Sequence, residues 1–300
     1  MSDAAQPLKD FKKEQDFLVG IDSDGCVFDT MEIKQKECFI PNTCKYFDLQ
    51  SVAKYAREAG EFVNLYSKWR GVNRFPALIK IFELLEERAE VKARGLKLDD
   101  YSSLKAWVAA ESKLGNPALE KYVAETGDPF LTKTLAWSKA VNATVADIVY
   151  GVPPFPLVRE SLAKMRKVAD TLVVSQTPGE ALVREWQEHN IDDMVKVIAG
   201  QEMGTKTQHL GYVIEGRYAK DHVLMIGDAP GDLKAARANG VLFYPINPGN
   251  EEVSWKRFYE ESFDKFIGGT YAGDYEAALI DEFEAYLPEK APWQIKQGGK

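Results

Sequence analysis

Four short segments of the chain carry residue types suited to phosphoryl chemistry. The first, Asp22-Ser-Asp-Gly25, sets two carboxylates two residues apart ahead of a glycine. A carboxylate such as Asp22 is already ionised at neutral pH, so it can attack phosphorus without an activating base. Asp24 suits the complementary task of giving a proton to a departing alcohol and later taking one from water, provided its surroundings raise its pKa. The second segment, Ser175-Gln-Thr-Pro178, supplies a hydroxyl and backbone N–H groups able to hold a phosphoryl oxygen. The third, Gly204-Thr-Lys-Thr-Gln208, offers the Lys206 ammonium as a counter-charge. The fourth, Gly227-Asp-Ala-Pro-Gly-Asp232, puts two more carboxylates in a turn that opens a helix, and hard oxygen ligands of this kind suit magnesium. Each segment alone also fits a plainer use as a helix cap, a calcium loop, a turn or a solvated lysine.

What separates these segments from ordinary turns is where they fall. Phe17-Leu-Val-Gly-Ile21 is a short apolar run that reads as a strand buried on both faces, and it ends directly in Asp22. Similar runs return as Leu172–Val174, Val195–Ala199, Val223–Ile226 and Val241–Tyr244, separated by helical stretches. Alternation of this kind predicts a parallel sheet with helices on both faces, with ligands beyond the carboxyl ends of the strands. The expected fold class is therefore α/β, a Rossmann-like parallel sheet, and the first four runs each lead into one of the four segments.

Between these blocks, residues 31–150 change character. Phe75, Leu78, Ile79, Phe82 and Leu85 follow helical spacing, and further helical stretches contain Trp69, Trp107, Tyr122 and Trp137. Turn signals at Gly115-Asn-Pro117 and Gly127-Asp-Pro129 divide the segment, and Gly151-Val-Pro-Pro154 marks its exit. We read 31–150 as an inserted α-helical domain, and 1–30 with 151–300 as the α/β core. The stretch from Glu251 onward is helical and polar, and the terminal Gly-Gly-Lys is expected to be mobile.

The 300 residues are 45% hydrophobic and 28% charged, enough for a large core and one further domain. A net charge of -8 disfavours loose attraction to nucleic acid or to an anionic membrane, so a phosphate site has to be locally positive. Met1–Glu14 lacks the apolar stretch of a secretory signal, and no later run reaches the length of a membrane span. Cys26, Cys38 and Cys44 form an odd, sparse set that points to a reducing cytoplasm rather than a disulfide framework, and Cys26 reads as a small buried thiol. His189, His209 and His222 are too scattered to make a zinc site or a triad.

Taken in order, Asp-x-Asp-Gly, a strand-end Ser, a Lys and Gly-Asp-x-x-x-Asp resemble the motifs of the haloacid dehalogenase-like (HAD) superfamily, over residues 15–30 and about 150–250. The insert is similar in position and helical character to the C1-type caps of that superfamily, as in phosphoglycolate phosphatase-like members. The resemblance implies a Mg2+-dependent phosphoric monoester hydrolase acting on a small phosphorylated metabolite. Asp22 is then the nucleophile and Asp24 the general acid and base. Ser175 and Lys206 bind the phosphoryl group, and Asp22, the Asp24 carbonyl and Asp228 hold the metal, with Asp232 a further ligand or one step behind. Gln176-Thr177 departs from many relatives, which have Asn or a Lys-Pro pair there, and Gln176 is added to the expected substrate contacts. A phosphomutase uses the same core residues, and a silent binding protein would have lost one of them. In the insert, Trp69-Arg-Gly-Val-Asn-Arg74 makes Arg70 and Arg74 the candidates for a second anionic group of the substrate.

Overall fold

The computed structural model describes residues 3–297, so the terminal Gly298-Gly-Lys300, expected to be mobile, lies outside the described residues. The chain divides into two compact units, Met1–Met31 with Tyr150–Leu287 and Glu32–Val149 with Pro288–Lys300.

The first unit is built on five strands: β1 (Phe17–Ile21), β2 (Ala169–Val174), β3 (Val197–Ala199), β4 (Val223–Gly227) and β5 (Leu242–Pro245). They lie in the order β3-β2-β1-β4-β5 with every pair parallel. The α/β class expected from the runs is thus the observed one. Alternate residues face opposite ways: Val19, Ile21, Val173, Leu224 and Ile226 enter one core, and Leu18, Leu172, Val174, Val223 and Met225 the other. Helix α1 (Gly179–Glu188) covers the first face through Trp186. Helices α2 (Lys206–Ile214) and α3 (Pro230–Asn239) cover the second through Leu210, Val213, Leu233 and Ala236. Gly20 is needed in β1 because a Cβ there would come within 2.9 Å of Leu210 on α2.

The strands differ from the apolar runs mainly where polar residues are buried. β2 starts three residues early, at Ala169, because Asp170 and Thr171 are satisfied inside the fold. Asp170 accepts from the backbone N–H groups of Glu14 and Gln15 and from the Tyr218 hydroxyl, and it pairs with Lys196. The Thr171 hydroxyl donates to the Met194 carbonyl at 2.9 Å. A pattern search by apolarity cannot see a strand residue whose partners are distant in sequence.

The second unit is helical, with Ala53–Asn64, Arg74–Glu87, Asn116–Thr126 and Pro129–Ile148 its longest elements. Asn73 and Asp128 cap two of these by accepting from the N–H groups of Phe75 and Leu131. Phe75, Leu78, Phe82 and Leu85 are buried as the spacing predicts, joined by Ile81 and Leu84, while Ile79 is only partly buried. Trp107 and Trp137 lie in the same core, whereas Tyr122 is exposed.

One expected boundary needs correction: the chain after residue 150 does not stay with the sheet to its end. Residues from Pro288 belong to the helical unit. Trp293 packs on Phe62, with ring centroids 5.8 Å apart, and carries the Arg88 guanidinium 4.5 Å above its ring. Ala291 enters the helical core. Two turns of polar helix at the end of a sequence give no sign of a destination, because their docking surface is assembled from residues more than 200 positions earlier.

Candidate active site

The site forms where the strands end. β1 and β4 are neighbours with Ile21 opposite Ile226, and the pairing continues one residue further through the Asp22 N–H to the Ile226 carbonyl at 3.0 Å. This extra bond fixes Asp22 beside the turn that follows β4. On the other side Ile21 pairs with Val173 of β2, so Ser175 leaves the sheet at nearly the same level. Its N–H bonds the Ala199 carbonyl at 3.0 Å, which extends β2–β3 pairing in the same way.

Lys206 is the first residue of α2, whose start is held by a capping box between Thr205 and Gln208. Its ammonium sits between two carboxylates, 2.5 Å from Asp22 Oδ2 and 2.6 Å from Asp232 Oδ1. Asp232 spends its other oxygen on the Ala229 N–H at 3.0 Å, and so holds the start of α3 as well. Gly227 is required here: a Cβ would lie 2.3 Å from the Asp232 Cβ. The second oxygen of Asp22, Oδ1, accepts from the Ser23 N–H at 2.8 Å.

One carboxylate oxygen from each of Asp22, Asp228 and Asp232 lies within 4.8 Å of the others, and all three residues are buried. Burial is the main force raising the Asp22 pKa. The Lys206 charge opposes it and Asp232 repulsion adds to it, with the result at about 6. Asp232 is raised for the same reasons, burial first, with Lys206 opposing and Asp228 adding. Burial works against the Lys206 charge, but the charges of Asp22 and Asp232 outweigh it and keep the ammonium protonated far above neutral pH. Acids and base move upward together because burial penalises the charge on Asp22 and Asp232, while the same two carboxylates hold the proton on Lys206. A hard divalent cation fits this donor set, since it would balance the remaining negative charge with oxygen ligands alone.

Asp24 stands beside this cluster, half-buried, with both carboxylate oxygens accepting from hydroxyls: Oδ1 from Thr30 at 2.5 Å and Oδ2 from Thr177 at 2.7 Å. Gly25 turns the chain after it at a φ of 75°, a conformation that favours glycine. Ser175 is buried, and its Oγ accepts from the Thr177 N–H at 3.1 Å, leaving its own hydroxyl hydrogen available to a ligand. Gln176 is exposed and donates from Nε2 to the Gly204 carbonyl at 2.9 Å, bracing the Ser175 loop against the one that carries Lys206. Cys26 is buried, and burial first, then the nearby aspartates, push its thiol well up, so it is not a nucleophile.

The expected core residues Asp22, Lys206, Asp228 and Asp232 therefore come together, and Asp24 joins Ser175 through Thr177. Arg70 and Arg74 belong to the helical unit. Arg70 is buried and donates from Nη1 to the Leu65 carbonyl at 2.9 Å. Arg74 donates from Nη1 to Ser138 and Asn142, lies 5.0 Å over the Phe39 ring and lines a narrow recess, with room for about one water molecule, together with Asn64 and Trp137. Burial pulls its pKa down to about 10.

Sequence reasoning missed the two hydroxyls on Asp24 and the support beneath Ser23, whose Oγ accepts from the Trp186 indole at 3.0 Å and donates to Glu185 at 3.3 Å. Thr177 was within sight, as it lies inside the Ser175 segment. Trp186 sits mid-helix with nothing in its spacing to distinguish it from a core residue.

No curated protein sequence matches the chain. Among solved structures it is similar to a haloacid dehalogenase-like family hydrolase from Streptococcus pneumoniae, at 12% identity over 82% of this chain and 91% of that one, TM-score 0.49. A haloacid dehalogenase-like family hydrolase from Xanthomonas campestris shares 13% identity over 80% and 85%, TM-score 0.41. A protein from Haemophilus somnus described as a predicted phosphoglycolate phosphatase shares 15% over 79% and 88%, TM-score 0.43. These are distant likenesses in sequence and in geometry. Residues 77–246, by contrast, match the model of one family, described as haloacid dehalogenase-like hydrolase, and that stretch contains Ser175, Lys206, Asp228 and Asp232 but stops short of Asp22 and Asp24. Since the match takes in more than half of the 300 residues, the chain belongs to the haloacid dehalogenase-like hydrolases.

Proposed function

We propose that this protein is a magnesium-dependent phosphatase that cleaves a small phosphorylated metabolite through an aspartyl-phosphate on Asp22. The observation that carries the reading is the convergence of the buried Asp22, Asp228 and Asp232 carboxylates, with Lys206 bonded to Asp22 and Asp232, beside the carboxyl ends of two neighbouring parallel strands. Magnesium held by Asp22, Asp228 and the Asp24 carbonyl, with Asp232 a further ligand or the anchor of Lys206, would supply charge neutralisation at the phosphoryl group.

Within that frame each residue has a task. An Asp22 carboxylate oxygen attacks phosphorus while the bond to the ester oxygen breaks. Asp24 gives its proton to the departing alcohol, then takes one from the water that attacks the aspartyl-phosphate, so that alcohol and inorganic phosphate leave and Asp22 is regenerated. Ser175 and Lys206 donate to the phosphoryl oxygens, where negative charge is held during transfer. Gln176 contributes by holding the Ser175 loop and by offering its amide to the substrate. Arg70 and Arg74 supply selectivity. Arg74 supports this best, because no acid among the described residues pairs with it and it borders a recess. A cytoplasmic setting agrees with three buried, unbridged cysteines. No helix among the described residues is long and apolar enough to cross a membrane.

A panel of phosphorylated metabolites assayed with magnesium and then with a chelator tests the proposal. Phosphate release that stops with chelator and returns with magnesium is expected. Transfer of the phosphoryl group to a second sugar hydroxyl without phosphate release would make the protein a mutase, and activity indifferent to chelation would overturn the metal. The same panel on Arg70→Gln and Arg74→Gln should show weakened use of the preferred ester, with a generic aryl phosphate hydrolysed almost as before.

A further inference from the structure

Thr177 enters none of the steps above, yet its surroundings are more constrained than those of a loop hydroxyl. Its N–H is bound by Ser175 Oγ at 3.1 Å, and its carbonyl accepts from the Gln201 N–H at 3.1 Å. Pro178 follows and restricts its backbone to extended conformations. The adjoining loop presses close: a Cβ on Gly200 would lie 2.6 Å from the Gly179 nitrogen and 2.9 Å from the Thr177 carbonyl oxygen. With the backbone pinned on both sides, the remaining freedom is χ1, which is stiff in a β-branched residue. The hydroxyl so placed donates to Asp24 Oδ2 at 2.7 Å, across 153 positions of sequence.

We infer that Thr177 is the positioning residue for proton transfer: it ties the Asp24 carboxyl to the rigid end of β2 so that the carboxyl faces the leaving oxygen. A hydroxyl is suited to this because it donates to the ionised carboxylate and, on rotating, accepts from the protonated acid, keeping its hold in both halves of the reaction. Thr30, at the start of the short helix Thr30–Ile33 that directly follows the Asp24 loop, holds the other oxygen at 2.5 Å. It cannot register that loop against β2, whereas Thr177 can.

The inference rests on Asp24 acting as the acid, and the leaving group separates the two claims. Departure of an alkyl alcohol needs a proton, and departure of 4-nitrophenolate hardly does. The value of kcat/KM covers only the steps up to that departure. Thr177→Val is expected to lower kcat/KM for an alkyl phosphate about tenfold or more, against a change within about twofold for 4-nitrophenyl phosphate, with Thr177→Ser restoring most of the loss. Asp24→Asn run alongside should show the same split, only larger. Equal losses on both esters with Thr177→Val would overturn the inference in favour of phosphate binding or loop structure. No loss on either would overturn it as well. If Asp24→Asn itself shows no split, the assignment of Asp24 fails, and the Thr177 claim falls with it. Unchanged thermal unfolding of both Thr177 variants is the expected companion result, and a lowered midpoint shared by Val and Ser would reassign Thr177 to structure.

Discussion

The sheet-bearing unit crowds its buried charges together, and the helical unit keeps its buried charges apart. In the first, Asp22, Asp228 and Asp232 are buried together at strand ends, sharing Lys206 between two of them. In the second, the buried cations lie apart from one another: Arg74 donates to Ser138 and Asn142, Arg70 donates to the Leu65 carbonyl, and Arg88 pairs with Glu58 and Glu90, with large aromatic rings filling the space between helices. The first arrangement concentrates negative charge where the proposed function places a phosphate and a cation. The second keeps its buried cations apart, each held by its own set of partners. A site of chemistry is therefore recognised by charges crowded against one another, since desolvation makes such crowding costly unless a function retains it.

The sharpest way to break this contrast is Asp22→Asn. Phosphate release is expected to fall by about three orders of magnitude or more, with far-UV circular dichroism unchanged, because the proposed nucleophile goes while the backbone bond to Ile226 stays. Near-normal turnover would remove the chemical meaning of the cluster. Next is Lys206→Ala, which strands two buried carboxylates without their ammonium. Urea unfolding should show a loss of about 3–5 kcal/mol, the usual cost of removing one partner from a buried pair. A loss below about 1 kcal/mol would mean that the cluster is better solvated than its burial implies. The smallest effect belongs to the helical unit. The Trp137 indole donates to Thr43 Oγ1 at 3.1 Å, whereas the Trp107 indole, equally buried, has no acceptor among the described residues. Trp137→Phe should therefore cost about 1 kcal/mol more than Trp107→Phe in matched unfolding curves, and neither should alter kcat/KM on an aryl phosphate. Equal costs would show that ring packing alone decides.

How much of this was legible follows from how local each feature is. β1 and the carboxylates after it could be read directly, because a strand buried on both faces is a continuous apolar run and its end is marked by the first charge. Arg74–Glu87 was legible for a similar reason, from helical spacing over several turns. Asp170 in β2 and the docking of Trp293 were not, since each depends on partners far along the chain. Thr177 falls between: its segment was identified, but nothing in Ser-Gln-Thr-Pro says that the second hydroxyl turns toward Asp24 rather than toward solvent.

The sequence by itself determined the α/β class, the inserted helical segment, and which four segments carry carboxylate, hydroxyl and ammonium, because these depend on periodicity and on residue type near a strand end. Only the tertiary structure decided that β1 lies between β2 and β4, and with it that Asp22, Asp228 and Asp232 share one buried space with Lys206. It also decided that Asp24 is held by two hydroxyls and that the chain returns to the helical unit after Leu287. The physical reason is that strand order and long-range hydrogen bonds are settled by packing among segments in places more than 200 residues apart, and no local pattern in a chain records which distant surface completes it.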